Sequence, residues 1–222
     1  MSMCISQILL QKRMETFEEA GNLSCCHFSG DNGSVPQIRF AREYVKHWDS
    51  MSEKGLGMLL WGPSGSGKTF AAACMANAFL ESEDRFAPSV IMTSFGTILR
   101  RCLAATPQAR EEYLERLLGA GLLILDDFGA ERQTEYTQEQ IYHVINTRYV
   151  RRKPMIVTTN MTLQQLKNPQ SIQEQRIFDR LLEICVPVCF DCPSLRREKA
   201  AENLRFFRQL CEGEGVAKQG NN

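Results

Sequence analysis

Apolar residues in this chain fall into short unbroken or nearly unbroken runs, separated by stretches where they recur every three or four positions. The runs lie at 58–61, 89–93, 122–125, 155–158 and 185–190. Runs of four to six residues fit strands buried on both faces of a parallel sheet. The stretches between them carry helical spacing. One helix is predicted over 36–51, with Ile38, Ala41, Tyr44, Val45 and Trp48 on one face. Others are predicted over 70–80, 97–103, 109–118, 137–152, 163–166, 172–183 and 195–212, with Thr106-Pro107 as a break. Strands alternating with helices imply an α/β fold, a mostly parallel sheet covered on both faces.

Residues 1–35 are mixed and polar, with Gly21, Gly30, Asp31, Asn32 and Gly33 as breakers, and no core of their own is expected there. The expected organisation is a short N-terminal segment over 1–35, one domain over 36–212 and a flexible tail over 213–222. No internal repeat or low-complexity segment interrupts it.

The first run is followed by chemistry with strict spacing. Met58-Leu59-Leu60-Trp61 leads into Gly62-Pro63-Ser64-Gly65-Ser66-Gly67-Lys68-Thr69, and an alanine-rich stretch begins at Phe70. This is G-x-x-x-x-G-K-[ST] between a strand and a helix, the context a phosphate-binding loop requires. Glycines let backbone N–H groups close around phosphate oxygens, and the helix dipole points at the same place. Lys68 supplies a point charge for the β- and γ-phosphates, and Thr69 a hydroxyl for Mg²⁺. The expected ligands are therefore ATP and Mg²⁺, with Gly62 to Phe70 forming the nucleotide site. A glycine-rich turn that binds nothing is the plain alternative, and the flanking pattern argues against it.

The run 122–125 ends in Asp126-Asp127, about 60 residues after the loop. Asp126 is expected to hold the Mg²⁺ shell with Thr69, and Asp127 to polarise the attacking water. The next run ends in Thr158-Thr159-Asn160. Ligand groups gather at the carboxyl ends of parallel strands, so the Asn160 amide is a candidate for the γ-phosphate or the lytic water. Arg176 and Arg180 stand four apart on one helical face. Either a guanidinium there reaches a neighbour's phosphate, or the face is solvated and pairs with Asp179 or Glu174. Arg196, near the start of the last helix, is a candidate to fold back on the nucleotide.

Composition narrows the rest. Net charge is zero, so any nucleic-acid surface is a local patch. No apolar run approaches the roughly 18 residues of a membrane span, and no signal-peptide pattern is read at the start. Nine cysteines, an odd number, scattered through an α/β pattern point to a reducing cytoplasm. Cys185, Cys189 and Cys192 are read as a strand using cysteine as a small hydrophobe; their spacing is poor for zinc. Cys25, Cys26 and His27 are weaker still.

Taken together, "LLWGPSGSGKT", "LLILDDFGAERQTEYTQEQIYHVINTRY", "PMIVTTN" and "RIFDRLLEICVPV" resemble the DnaC/DnaI-type helicase loaders and the related IstB-type transposition helper ATPases. The resemblance runs from about Pro36 to Leu210. It implies an AAA+ P-loop fold, a three-layer sandwich with a five-stranded sheet and little or no lid. It implies ATP-dependent self-assembly, binding of single-stranded DNA, and a replicative helicase or a transposase as partner. It carries sensor 1 to Asn160, the arginine finger to Arg180 with Arg176 nearby, and sensor 2 to Arg196.

The family's initiator-type helix falls at 94–103, where Phe95, Arg100 and Arg101 are expected to stack on bases and track phosphates; an amphipathic helix with its arginines in water is the alternative. Loaders of this type carry an N-terminal helicase-gripping domain. Here 1–35 leaves a reduced grip near 5–17 or a different partner. A P-loop kinase needs no Asp-Asp followed by Thr-Thr-Asn, and a catalytically dead module would not need all of Lys68, Thr69, Asp126 and Asn160.

Overall fold

The computed structural model describes residues 11–12, 14–18, 21–82, 87–132 and 134–216. Five parallel strands form one sheet in the order β2-β3-β4-β1-β5. They are β1 (Gly57–Trp61), β2 (Val90–Ser94), β3 (Leu122–Phe128), β4 (Met155–Thr159) and β5 (Cys185–Cys189). The helices are α1 (Ile38–Lys46), α2 (Trp48–Lys54), α3 (Lys68–Leu80), α4 (Phe95–Ala104), α5 (Pro107–Gly119), α6 (Glu135–Val150), α7 (Leu163–Lys167), α8 (Ile172–Ile184) and α9 (Leu195–Val216).

Alternation along the strands divides the core between two faces. Leu122 and Ile124 of β3 join Met58, Leu60 and Ile156 beneath α1 and α3. Leu123 and Leu125 join Leu59, Val157 and residues of α4, α5, α6 and α8 on the other side. That two-sided burial is why β1 to β4 read as continuous apolar runs; β5, at the sheet edge, leaves Val186 and Pro187 exposed. Helix α3 is buried almost all round, and its alanines let it lie close to the sheet. Arg148 of α6 is fully buried and donates to the carbonyls of Leu118 and Pro154, fastening the end of α5 to the entry of β4.

The expected helix over 36–51 is two helices, broken at His47, whose N–H bonds Glu43 O and Val45 O. The break lets Trp48 pack edge-on against Phe79, with centroids 5.0 Å apart. The boundary expected at 35/36 leaves no mark in the packing. Phe17 and Val35 are buried in the core, and Asn77 of α3 donates to the carbonyls of Leu23 and Cys26. Phe17 bridges Met92 in parallel, and the Glu18 N–H bonds Met92 O, so this segment extends the β2 edge. Of the helix expected over 5–17, residues 5–10 and 13 lie outside the described residues. The tail expected from 213 is helical to Val216; 217–222 also lie outside.

In β5, Cys185 is buried and donates to Met155 O, as the strand reading expects; Cys189 is half-buried, and Cys192 lies beyond the strand, half-buried, with its thiol on Gln37. No group of three or more metal-binding side chains occurs among the described residues. No helix among them is long and apolar enough to cross a membrane.

Candidate functional site

The strand order builds the site. β4 lies between β1, which carries the glycine loop, and β3, which carries the acids. Asn160 therefore emerges between them. The loop holds Gly62, Gly65 and Gly67 at φ of 143°, 83° and 97°. A Cβ on Gly62 would stand 2.1 Å from Phe190 O, and one on Gly65 2.2 Å from Ser194 Oγ. Glycine is required here both by backbone conformation and by contact with the segment after β5.

Lys68 opens α3 and is 5% exposed. Its ammonium donates to Gly62 O (2.7 Å), Pro63 O (2.8 Å) and Asn160 Oδ1 (2.9 Å). Burial pushes its pKa down, while Asp127 and Asp126 pull it back up. The direct partners are neutral oxygens, which phosphate oxygens can replace. Ser66 Oγ is buried without a hydrogen-bond partner. An unpaired buried donor beside a cation fits an anionic ligand.

Thr69 Oγ1 donates to Asp126 Oδ1 at 3.0 Å, and Thr158 Oγ1 to the same oxygen at 2.6 Å. Burial raises the Asp126 pKa, and Asp127 adds to the rise. A half-buried acid carrying two hydroxyls is a donor set of hard oxygens, suited to Mg²⁺. Asp127 sits at φ 55°, a left-handed conformation that Asp tolerates better than most residues. Its N–H bonds Thr158 Oγ1 at 3.0 Å, and the following turn is closed by Ala130 N to Asp127 O and by Gly129 N to Glu131 Oε2. This bulged end aims Asp127 into a cleft of about 220 Å³ lined by Lys68, Thr69, Phe70, Asn160 and Arg196. Leu195 N bonds Gly65 O, which fastens the start of α9 to the loop.

Glu131 and the role of Thr158 escaped the sequence reading. Glu131 is the last residue of the Asp-Asp-Phe-Gly-Ala-Glu string, and Thr158 stood in the Thr-Thr-Asn string without a partner assigned.

Arg180 lies elsewhere, on the face made by α6 and α8. Its guanidinium stacks over Tyr142 and Tyr149, 5.1 and 5.6 Å from the ring centroids. Nε donates to Asn146 Oδ1 at 2.8 Å, and another nitrogen to Arg176 O at 2.8 Å. Neither Asp179 nor Glu174 pairs with it. Tyr142, Asn146 and Tyr149 recur at helical spacing in α6, a signal present in the sequence but unreadable without α8.

The expected DNA surface on α4 needs correction. Phe95 is 0% exposed and packs edge-on against Phe128, so it is core and offers no face to a base. Its neighbours Ile98 and Cys102 are buried with it, which is the ordinary inner stripe of an amphipathic helix. Arg100 is exposed and bonds Thr97 Oγ1. Arg101 lies over Tyr113 and pairs with Glu18 at 3.3 Å. The Glu18 side chain is 2% exposed and also takes Arg116 and the Tyr113 hydroxyl.

The model of the IstB-like ATP binding protein family matches residues 46–203. The replicative helicase loader DnaI of Bacillus subtilis is 26% identical over 171 residues, 72% of this chain and 54% of that protein. An insertion-sequence ATP-binding protein of Mycobacterium tuberculosis is 29% identical over 153 residues, 66% of this chain and 58% of that protein. The chain thus spans about half the length of the curated relatives it matches. A crystal structure of DnaI superposes with a TM-score of 0.64 at 22% identity, covering 78% of this chain and 95% of that one.

Proposed function

The chain belongs to the IstB-like ATP-binding protein family, and from that premise we propose that it is a Mg²⁺-dependent AAA+ ATPase of DNA replication. In this reading it acts as a helicase loader in the cytoplasm: ATP bridges adjacent copies, and the assembly grips single-stranded DNA and a replicative helicase. The observation that carries it is the division of the chemistry. The loop, Asp127 and Asn160 line one cleft, with Asp126 bonded to Thr69 beside it, while the guanidinium of Arg180 is held on a different face.

Bound Mg·ATP supplies the anhydride bond to be broken and a cation that spreads the charge of the transferred phosphoryl group. Lys68 and the loop N–H groups bind the phosphates. Thr69 and Asp126 would hold Mg²⁺ through hard oxygen donors. Asp127 accepts a proton from water, and Asn160 orients that water or the γ-phosphate. Arg196 closes over the nucleotide from the same chain. Arg180 serves the site of the next copy. With Phe95 buried, Arg100 is the α4 residue best suited to touch phosphate.

Asp127→Asn is expected to bind ATP normally and to hydrolyse it about 10²–10⁴-fold more slowly, the usual worth of a general base. Asparagine also tolerates positive φ, so the turn survives. Asp126→Asn is expected instead to weaken Mg²⁺-dependent binding, read by titrating a fluorescent ATP analogue with and without Mg²⁺. Equal behaviour of the two variants removes the division of roles between the acids.

The second reading is a transposition helper, favoured by the similarity to insertion-sequence ATP-binding proteins. Purified replicative helicase and transposase from the native host, offered separately with ATP and single-stranded DNA, separate the two. The loader reading expects an ATP-dependent complex with the helicase and none with the transposase; the reverse result replaces it.

A further inference from the structure

Helix α9 runs for 22 residues, and every side chain from Arg196 to Cys211 is exposed. A helix without tertiary packing is marginal in water, because most helical stability comes from burying one face. This one has such a face. Leu204, Phe207, Leu210 and Cys211 share a stripe at helical spacing, with Phe206 beside Leu210 at its edge. Phe206 and Phe207 are 64% and 63% exposed. Arg197, Lys199 and Arg208 flank the stripe, while Glu198 and Glu202 lie on the far side of the helix.

A complementary surface exists on the same molecule. Between α6 and α8 a recess of about 340 Å³ is lined by Glu135, Gln138, Glu139, Tyr142, Gln173 and Arg176. Two acids against one base give it the opposite sign to the border of the α9 stripe. It also adjoins Arg180, since Tyr142 stacks on that guanidinium and the Arg176 carbonyl accepts from it.

We propose that α9 of one copy seats its Phe206–Phe207 face in the α6/α8 recess of the next. This rests on the reading that Arg180 acts in trans. Helix α9 starts at the nucleotide cleft, where Leu195 is bonded to Gly65 and Arg196 lines the wall. At 1.5 Å per residue, Phe206 lies about 16 Å further along. The recess starts beside Arg180 and extends along α6 from Tyr142 to Glu135, about 10 Å. A copy that offers Arg180 to a neighbour's cleft therefore lays its recess alongside that neighbour's α9. Arg180 makes the contact depend on nucleotide, and the aromatic face makes it hold.

The test is assembly of the full chain with ATP, read by sedimentation. Phe206→Ser with Phe207→Ser changes only exposed positions, so the fold is retained and ATP affinity of the monomer is unchanged. Assembly should need about tenfold more protein or more, the scale expected for losing aromatic anchors. Charge reversal in the recess (Glu135→Lys, Glu139→Lys) or on the helix (Lys199→Glu, Arg208→Glu) should each weaken assembly, and the two together in one chain should restore it.

Wild-type assembly by the double-serine variant overturns the proposal, as does loss of retention on single-stranded DNA or on helicase with assembly intact. Failure of the combined reversals to restore assembly overturns it equally. If the wild type assembles with ATP, Arg180→Ala does not, and the double-serine variant does, this inference fails while the trans reading stands. If the wild type does not assemble with ATP, the trans reading fails and takes this one with it.

Discussion

Arg180→Ala is expected to bind ATP with wild-type affinity as a monomer, to lose ATP-dependent assembly, and to lose turnover by about 10³–10⁵-fold, the worth of an arginine supplied in trans. The magnitude follows from preorganisation. Two tyrosine faces and the Asn146 carbonyl oxygen already fix the guanidinium, so little conformational entropy remains to be lost when it meets a phosphate. Alanine removes the charge and leaves Tyr142 and Tyr149 to close over the gap. Steady-state hydrolysis and sedimentation with ATP measure both effects. Reduced ATP affinity of the isolated monomer would assign Arg180 to its own site instead.

Lys68→Ala is expected to lower ATP affinity by about 100-fold or more, corresponding to one or two charge-assisted hydrogen bonds at roughly 1.5–3 kcal/mol each. The fold should survive, because Lys68 itself lines the cleft, and its removal opens the Gly62 and Pro63 carbonyls to water from that side. A thermal melt checks the fold and a fluorescent ATP analogue the affinity. The lowered pKa of Lys68 adds a sign. Its charge is complete well below the lowered value and is lost as pH rises through it. In the wild type, the part of affinity due to this charge should therefore fall at a lower pH than an ordinary lysine would give. Unchanged affinity in the alanine variant would remove the phosphate-loop assignment.

The parts of the site that were legible in the sequence are those whose chemistry fixes both residue type and spacing. Gly62, Gly65, Gly67, Lys68 and Thr69 form one local turn, and Asp126, Asp127 and Asn160 each end an apolar run, so strand order alone brings them together. What was illegible depends on contacts distant in the chain. Phe95 reads equally well as a stacking ring or a core residue; only Phe128, 33 positions away, decides it. The N-terminal segment looked coreless because its core is the β2 edge, which Phe17 and Glu18 complete. Arg101 looked available because Glu18, its buried partner, stands 83 residues earlier. The break at His47 breaks no periodicity rule; it follows from where Phe79 waits for Trp48.

The central claim is that a complete hydrolytic site needs two copies of this chain. It is tested most directly by mixing Arg180→Ala with Lys68→Ala, each inactive alone, and measuring ATP hydrolysis. In mixed assemblies, an intact loop from the Arg180→Ala copy meets an intact arginine from the Lys68→Ala copy. The account predicts recovered turnover that rises as the two proteins approach equal amounts. Turnover that stays at the sum of the separate variants at every ratio, in samples where sedimentation finds mixed assemblies, would contradict it.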